Sequence, residues 1–175
     1  MKKELRKSAK EIRNSIVDNG LSKKIIENLF STDFYKKSKN IMCYFPIGKE
    51  VSTLECFDDS SKKWFLPRIC GEEMVVCEYL KENCSVNKYG IVEPLSPSVD
   101  LRSIDLIILP SICVDKNGFR IGYGKGFYDK FLAKNETNAI KVAVQYSDLC
   151  FENVFPEQYD IKCDYIITEK AIYKC

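Results

Sequence analysis

The sequence predicts an α/β protein built on a mostly parallel sheet, and three observations lead to this class. Short apolar runs that are typical of buried strands recur along the chain. Segments with an apolar residue every three or four positions, as in amphipathic helices, lie between some of these runs. The third observation is size, because 175 residues that are 45% hydrophobic fit one domain with a real core. With no internal repeat and no obvious linker, residues 1–175 are expected to form a single domain.

Two helices are expected at the start of the chain. Residues 2–18 carry one apolar stripe, formed by Leu5, Ala9, Ile12 and Ile16. Asn19 and Gly20 supply a stop signal, and Ser22 is expected to cap a second helix that runs to about Phe30. Basic residues crowd the other faces of the first helix: Lys2, Lys3, Arg6, Lys7, Lys10 and Arg13. By itself such a cluster is typical of a solvated helix face.

Six strands are expected along the rest of the chain. The clearest is Ile104–Leu109, an apolar run that stops before Pro110. The others, in chain order, are 40–45, 64–66, 74–80, 139–144 and 165–168. Ser52 or Thr53 is placed to cap a short helix over 54–57, and a further helix is expected over 127–134. Strands that alternate with helices over this length indicate a parallel sheet.

Composition excludes several functional classes. Lys and Arg total 27 against 25 Asp and Glu, so the net charge of +2 gives no basic excess of the kind that nucleic-acid-binding domains carry. There is no histidine, which removes Ser-His-Asp and Cys-His catalysis and every histidine metal site. No apolar run is long enough to span a membrane. Acid–base and metal chemistry must therefore fall to carboxylates, Lys, Tyr, Cys or the substrate.

The nine cysteines do not form a recognisable metal or redox pattern. No pair has C-x-x-C spacing, so neither a zinc ribbon nor a thioredoxin-like pair is present. The count is odd, and the first residues are charged rather than those of a secretory signal. We therefore expect a cytoplasmic protein with reduced thiols, most of them buried as small apolar side chains.

The most unusual stretch of the sequence is glycine-rich and runs from Leu109 to Asp129. Glycines alternate at 122, 124 and 126, with Lys125 between the last two, just before the expected helix. Glycines let backbone N–H groups approach a phosphate, and a helix N-terminus adds a positive dipole end. Arg120 and Lys125 would bring two cations to the same anion, and Asp129 is placed to hold magnesium. This combination favours phosphoryl-transfer chemistry.

The same stretch has a plainer interpretation. A glycine-rich turn with a solvated lysine, followed by an acidic residue that complements the helix dipole, would look similar. The spacing is not that of a Walker A loop, which needs Gly-x-x-x-x-Gly-Lys-Ser/Thr. It is also a poor Rossmann fingerprint, because the acidic ribose partner is missing. The coincidence of three glycines, two cations and a carboxylate still favours a phosphate site.

Residues 118–129, Gly-Phe-Arg-Ile-Gly-Tyr-Gly-Lys-Gly-Phe-Tyr-Asp, resemble the signature of the 5-formyltetrahydrofolate cyclo-ligase (methenyltetrahydrofolate synthetase) family. Other stretches agree in the same order along the chain: Lys2–Arg6, Tyr44–Pro46, Glu50–Thr53, Leu66–Arg68, Tyr89–Pro94 and Tyr159–Asp160. The resemblance spans essentially the whole length. The glycine motif is specific, whereas the shorter motifs add weight through their order. Phe127 in place of tyrosine is a conservative departure.

The resemblance implies a fold and a reaction. The family fold is a three-layer α/β sandwich of the NagB/RpiA/CoA-transferase-like kind, with a mostly parallel central sheet flanked by helices. The implied reaction is the ATP- and magnesium-dependent cyclisation of 5-formyltetrahydrofolate to 5,10-methenyltetrahydrofolate, with release of ADP and phosphate. The formyl oxygen would attack the γ-phosphate, and N10 of the folate would then displace the activated oxygen. This chemistry needs no histidine and depends on alignment and charge stabilisation.

The resemblance also implies the residues of the site. Lys125 and Arg120 would stabilise charge during phosphoryl transfer, and Asp129 and Asp160 would bind magnesium. ATP would contact Lys2, Lys3, Glu4, Leu5, Arg6, Arg120, Ile121, Gly122, Tyr123, Gly124, Lys125, Gly126, Phe127 and Tyr128. The folate would contact Phe45, Glu50, Tyr123, Gly124, Lys125, Gly126 and Phe127, with Trp64 and Tyr89 as further candidates for a wall of the pterin site.

Other functions stay open at this stage. A non-catalytic nucleotide- or folate-binding protein would keep the glycine loop without turnover. A dinucleotide-dependent oxidoreductase would use residues 122–126 for pyrophosphate, although the missing ribose acid weakens this interpretation. A nucleic-acid module on the first helix is disfavoured by the charge balance and by the lack of interleaved aromatic residues. The expected partners are 5-formyltetrahydrofolate and ATP, without nucleic acid or membrane, and we expect a monomer, with a dimer as the alternative.

Overall fold

The computed structural model describes residues 1–175 and contains four α-helices and twelve β-strands. The helices are α1 (Lys2–Ser15), α2 (Leu21–Ser31), α3 (Asp33–Lys37) and α4 (Phe127–Lys134). The strands are β1 (Asn40–Met42), β2 (Lys63–Cys70), β3 (Glu73–Glu78), β4 (Cys84–Val86), β5 (Val92–Pro94), β6 (Leu106–Leu109), β7 (Cys113–Asp115), β8 (Arg120–Ile121), β9 (Ile140–Val144), β10 (Cys150–Phe151), β11 (Tyr165–Ile167) and β12 (Ile172–Lys174). Short 3₁₀ helices cover Leu54–Asp58, Leu101–Ser103 and Ser147–Leu149.

A seven-stranded sheet forms the centre of the molecule, in the order β12-β11-β9-β6-β1-β2-β3. The pairings from β11 through β2 are parallel, and only the two edge strands, β12 and β3, run antiparallel to their neighbours. A three-stranded sheet, β10-β7-β8, and the β4–β5 hairpin complete the strands. The predicted mostly parallel sheet is therefore confirmed.

The central sheet is covered by helices on both faces. Successive residues of a strand point to opposite sides, so neighbours in β1 enter different cores. Ile41 packs in the cluster that includes Ile25 of α2, whereas Met42 packs in the cluster that includes Phe131 of α4. The two faces of the sheet thus bury apolar side chains under different helices, which gives the three-layer α/β sandwich.

Both N-terminal helices form, but their ends differ from the prediction. α1 is shorter than expected and ends at Ser15. The N-cap of α2 is Gly20, which has a φ of 89°. Ser22 does not cap this helix, because it lies in the first turn and its N–H donates to Asp18 Oδ1 at 2.8 Å. The expected Ser22 cap was wrong because the capping oxygen comes from before the helix.

Strand β2 continues through Pro67, although the sequence predicted an end at Leu66. β1 pairs with β2 only as far as Met42, which lies opposite Phe65. Beyond that point β3 alone flanks β2, with Pro67 opposite Val76. The missing N–H of proline therefore falls where β2 has no neighbour on its β1 side, and strands accept proline at such positions.

Two of the short motifs that carry the family resemblance fasten the β4–β5 hairpin to the central sheet. Arg68 Nη1 donates to the carbonyl oxygens of Pro94 and Ser96, both at 2.9 Å. Glu93 is buried, and its Oε1 accepts the N–H of Ile69 at 2.9 Å. Within the chain, Leu66–Arg68 and Tyr89–Pro94 therefore act as structural elements.

Several elements were not predicted from the sequence. These are α3 and the strands β4, β5, β7, β8, β10 and β12. None exceeds five residues, which is too short to display a helical or alternating apolar period. The six strands and the helices that were predicted all form, the short one over 54–57 as a 3₁₀ turn.

Most cysteines lie inside the protein, and Cys70 alone is exposed. Burial raises the pKa of the Cys113 and Cys163 thiols to about 12. These thiols therefore stay protonated at neutral pH and pack as small apolar side chains. None of the helices combines the length and the apolar character that a membrane crossing requires.

Candidate active site

The candidate residues gather at the carboxyl end of the parallel strands. The chain leaves β1 toward Phe45 and Glu50, leaves β6 toward Ser111 and leaves β9 toward Gln145. In open α/β sheets, ligands bind at this edge. The glycine-rich loop reaches the same edge, because the Tyr123 hydroxyl donates to Glu50 Oε1 at 2.8 Å.

The β7–β8 hairpin anchors the start of the glycine-rich loop. The buried carboxylate of Asp115 accepts the N–H groups of Asn117 and Phe119, at 3.0 and 3.1 Å. Gly118 in this turn has a φ of 98°, and a Cβ placed there would lie 2.5 Å from the Cys163 carbonyl oxygen. Only glycine fits this position without displacing the backbone that precedes β11.

The loop itself, residues 122–126, ends at the N-terminus of α4. Gly124 has a φ of 98°, and Gly126, the N-cap residue, has a φ of 67°. Both values lie in the left-handed region that favours glycine. α4 covers Phe127–Lys134, as predicted. Because the first N–H groups of a helix have no intrahelical partner, this junction suits an anion.

One side of α1 lies against the glycine loop. Arg6 Nε donates to the Gly122 carbonyl oxygen at 3.0 Å, and its guanidinium carbon would lie 3.6 Å from a Cβ on Gly124. Lys2 Nζ pairs with the Asp160 carboxylate. The basic cluster of α1 is thus more than a solvated helix face, because two of its members contact the loop and a predicted metal ligand.

The remaining residues of the Lys2–Arg6 motif lie elsewhere. Lys3 and Glu4 are exposed, and the Glu4 carboxylate lies 3.4 Å from the N-terminal amine. Leu5 packs against the hydrophobic core. Of the predicted ATP contacts on α1, Arg6 contacts the glycine loop and Lys2 pairs with Asp160, whereas the side chains of the other three make no hydrogen bond or ion pair with the loop.

Arg120 is buried and forms an ion pair with Asp129. Its side chain is 3% exposed, and its Nη1 lies 3.0 Å from Asp129 Oδ1. Arg120 Nε is buried without a hydrogen-bond partner, and the guanidinium lies 6.0 Å from the centre of the Tyr128 ring. In this arrangement Arg120 orients Asp129.

The other predicted loop residues differ in exposure. Lys125 is exposed and has no hydrogen bond or ion pair within the chain, so its charge is available to a ligand. Ile121 is buried in β8, and Phe127 packs against the core between α4 and the sheet. Of the two predicted catalytic cations, Lys125 is the one that lies at the surface of the site.

Asp129 and Asp160 lie together although 31 positions separate them, since the N–H of Ile161 donates to Asp129 Oδ1 at 3.1 Å. Asp160 Oδ2 accepts the N–H of Glu157 at 2.7 Å in addition to its contact with Lys2. The second oxygen of each carboxylate makes no hydrogen bond within the chain. No group of three or more acidic or cysteine side chains converges at any point of the structure. Two carboxylates suit Mg²⁺, which completes its shell with phosphate and water.

Glu50 and Phe45 form the other side of the site. Glu50 is 7% exposed, and its carboxylate accepts the Tyr123 hydroxyl and, at 2.9 Å, the N–H of Ile47. Burial raises the pKa of Glu50, and these hydrogen bonds oppose that rise. Phe45 is half-buried and stacks on Phe57 with ring centres 5.9 Å apart. A carboxylate with unused lone pairs beside an aromatic face suits a flat ring that carries N–H donors.

Trp64 and Tyr89, the two further candidates for the pterin wall, lie in different surroundings. Trp64 is buried, packs edge-on against Phe57 and donates its Nε1–H to the Asp59 carbonyl oxygen at 3.1 Å. Tyr89 is exposed at the turn of the β4–β5 hairpin. Trp64 therefore reaches the site only through Phe57.

Sequence reasoning missed three residues at the centre of the site. Arg13 Nη1 donates to the Tyr123 hydroxyl at 3.1 Å, and its Nη2 donates to the Ser111 carbonyl oxygen. Gln145 Nε2 donates to the same carbonyl at 3.0 Å. The available signal was spacing, because Arg6 and Arg13 stand two helical turns apart and so share one side of α1.

A separate groove of about 800 Å³ lies between α4, β3 and residues 98–102. It faces the side of α4 that carries Phe127 and Phe131, opposite to Asp129. Lys134 and Glu73, which line this groove, form an ion pair at 2.5 Å. Apart from Phe127, none of the predicted site residues lines this groove.

The chain is similar to known proteins over most of its length. A sequence model of the 5-formyltetrahydrofolate cyclo-ligase family matches residues 1–169. A probable 5-formyltetrahydrofolate cyclo-ligase of Schizosaccharomyces pombe is 26% identical over 192 residues, which cover 97% of this chain and 94% of the relative. The 5-formyltetrahydrofolate cyclo-ligase of Haemophilus influenzae is 28% identical over 137 residues, covering 72% and 73% of the two chains.

Solved structures show the same relationship. The NMR structure of Aquifex aeolicus 5,10-methenyltetrahydrofolate synthetase superposes with a TM-score of 0.89 at 33% identity, covering 99% of this chain and 92% of that one. A 5,10-methenyltetrahydrofolate synthetase from Mycoplasma pneumoniae shares the fold, with a TM-score of 0.79 at 21% identity and coverage of 96% and 98%. Because the family match extends over residues 1–169 and a structure with the same fold is 33% identical, the chain belongs to the 5-formyltetrahydrofolate cyclo-ligase family.

Proposed function

We propose that the protein closes the ring of 5-formyltetrahydrofolate to give 5,10-methenyltetrahydrofolate, using ATP and Mg²⁺ and releasing ADP and phosphate. The observation that carries the proposal is the meeting of α1 with the glycine loop, where Arg6 Nε donates to Gly122 O at 3.0 Å beside the unpaired Lys125. This meeting places cations and a glycine-rich helix N-terminus next to a carboxylate-and-aromatic site. A phosphate donor and a pterin would then lie side by side.

ATP binds across the glycine loop in this proposal. The first turn of α4 receives the phosphates, because its N–H groups and the glycines permit close approach. Arg6 and Lys125 supply positive charge from the two sides of the loop. Lys125 acts on the transferring phosphoryl group, since no protein partner competes for its charge. Arg120 acts through Asp129, whose carboxylate it orients.

Asp129 and Asp160 would hold Mg²⁺, each through the oxygen that makes no hydrogen bond within the chain. The ion would neutralise charge on the phosphate oxygens. Lys2 occupies the other oxygen of Asp160 and Arg120 that of Asp129, so each carboxylate keeps a fixed orientation. Asp160 is placed beside Asp129 by the amide of Ile161.

The folate lies against Phe45 and Glu50. Glu50 accepts hydrogen bonds from the N–H donors of the pterin, and Phe45 covers one face of the ring. The formyl oxygen attacks the γ-phosphorus as the bond to ADP breaks, which leaves an iminium phosphate. N10 then attacks the former formyl carbon and releases its proton to solvent, the C–O bond breaks, and phosphate leaves with the electron pair. The protein aligns the reacting atoms and stabilises charge.

The test is the absorbance band of methenyltetrahydrofolate after the protein is mixed with 5-formyltetrahydrofolate, ATP and Mg²⁺. We expect the band to grow only when all three are present and ADP to appear in equal amount. Folded protein that binds ATP and the folate but forms neither product would overturn the proposal. That outcome would identify a non-catalytic nucleotide- and folate-binding protein.

A further inference from the structure

Arg13 occupies an unusual place in α1. It and Ala9 are the two buried residues of this otherwise exposed or half-buried helix, and Arg13 is only 5% exposed. Its guanidinium joins two parts of the site, because Nη1 donates to the Tyr123 hydroxyl at 3.1 Å and Nη2 donates to the Ser111 carbonyl oxygen. The same Tyr123 hydroxyl donates to Glu50 Oε1 at 2.8 Å. A continuous chain of hydrogen bonds therefore runs from α1 through the glycine loop to the carboxylate.

Packing alone does not account for a buried arginine at this position. Arg13 Nε is buried and has no hydrogen-bond partner, which is unfavourable in a low-dielectric interior. An apolar residue of similar volume would fill the same space without that penalty. The feature that an apolar residue would lack is positive charge near Glu50.

The loop that carries Glu50 is also tied to the end of α1. Lys49 Nζ donates to the carbonyl oxygens of Asn14 and Ile16, at 2.6 and 3.2 Å. These contacts complete the last turn of the helix and fix the neighbouring backbone of the loop. Two sets of hydrogen bonds therefore fix Glu50 relative to Arg13, one through the Tyr123 hydroxyl and one through the Lys49 side chain.

Few charged groups face the Glu50 carboxylate. Tyr123 from the glycine loop, Tyr44 after β1 and Tyr128 from α4 are the titratable neighbours, and Arg13 from α1 is the cation. Burial raises the pKa of Glu50, while the charge of Arg13 and the Tyr123 hydrogen bond act in the opposite direction. Arg13 therefore favours the ionised carboxylate, which has lone pairs on both oxygens to offer a ligand.

We propose that Arg13 is a positioning residue for folate recognition, which holds the Tyr123 hydroxyl between itself and Glu50 so that the carboxylate stays ionised and fixed for the pterin. The inference rests on the proposed function, because it takes the pterin as the ligand of Glu50. Arginine suits this role better than lysine, since its planar fork reaches the Ser111 carbonyl and the Tyr123 hydroxyl at once.

The experiment compares Arg13→Met and Arg13→Lys with Lys7→Met, a matched control on the exposed side of α1. Three quantities are measured: the Kd for 5-formyltetrahydrofolate without nucleotide, the Kd for ATP, and the pH dependence of folate binding. We expect Arg13→Met to weaken folate binding by roughly 10- to 100-fold and to leave ATP binding within about twofold of the wild type. Its folate binding should also fail at a higher pH during acidification, because Glu50 then takes up a proton more readily.

Arg13→Lys separates charge from geometry. It should return the pH dependence of folate binding toward that of the wild type while restoring the affinity only in part. Tyr123→Phe removes the bridging hydroxyl at a side chain that is 45% exposed, so it tests the same chain of hydrogen bonds even if Arg13→Met does not fold. Combined with an Arg13 variant, Tyr123→Phe should add little further loss of folate affinity.

The proposal is overturned if the Arg13 variants bind folate with unchanged affinity and pH dependence, or weaken ATP and folate binding equally. Because these measurements record binding rather than turnover, they remain informative if the wild-type protein forms no methenyl product. Failure of the wild-type protein to form the methenyl product would contradict the proposed function alone. Failure of the wild-type protein to bind 5-formyltetrahydrofolate would contradict both.

Discussion

Lys125→Ala tests the role of the glycine loop most directly. Lys125 is exposed and has no ion pair or hydrogen bond, so the substitution removes one positive charge and leaves the folded chain otherwise unchanged. The free energy of unfolding should therefore stay within about 0.5 kcal/mol of the wild-type value. Losing a charge that acts on a transferring phosphoryl group should lower kcat by about 10²- to 10³-fold, or roughly 2.7–4 kcal/mol of transition-state stabilisation.

The assay is the growth of the methenyltetrahydrofolate band at saturating and limiting ATP, with thermal unfolding measured on the same samples. The KM for 5-formyltetrahydrofolate should change by less than about threefold, because the charge matters most as the phosphoryl group moves. Lys37→Ala is the matched control, since Lys37 is an exposed lysine without an ion pair at the end of α3, which precedes the amino end of β1. A higher KM for ATP with unchanged kcat would refute the reasoning and limit Lys125 to binding.

Three further substitutions test other parts of the structure. Asp129→Asn should raise the Mg²⁺ concentration needed for half-maximal activity. It should also lower the free energy of unfolding by about 1–3 kcal/mol, because it leaves Arg120 with an unpaired buried charge. An unchanged Mg²⁺ titration would remove Asp129 from the metal site. Gly118→Ala should destabilise the protein by on the order of 3 kcal/mol in chemical denaturation, because the new Cβ would clash with the Cys163 carbonyl at a φ of 98°. A wild-type denaturation midpoint would contradict that account of the turn. Phe45→Ala should raise the KM for the folate about 5- to 10-fold with little effect on the KM for ATP, as expected for loss of a stacking face; equal changes in both constants would indicate a general disturbance of the site.

The sequence was sufficient to predict the fold class because the relevant information is local. Buried strands such as β6, Leu106–Leu109, are continuous apolar runs, and α4 has a clear apolar spacing. The predicted bounds, 104–109 and 127–134, therefore lie within two residues of the observed ones. Glycines at 124 and 126 were recognised as part of a loop, and both adopt positive φ angles. The unpredicted elements have two to five residues, which are too few to show a helical or alternating period.

The proposed catalytic roles were harder to assign from the local sequence pattern. Arg120 and Lys125 look alike in the sequence, as two cations flanking the same glycines. The structure distinguishes them, since one is buried against Asp129 and the other is free at the surface. Burial depends on which strands and helices close over a residue, and a sequence motif does not record it.

By itself the sequence determined the α/β class, the glycine loop and the family resemblance that pointed to Asp129 and Asp160. Only the tertiary structure decided which distant groups meet. Tyr123 reaches Glu50 across 73 positions and Arg13 across 110. These contacts exist because the order of strands in the sheet brings the carboxyl ends of β1, β6 and β9 together and lays α1 across them. Strand order follows from the packing of the whole chain rather than from any local segment.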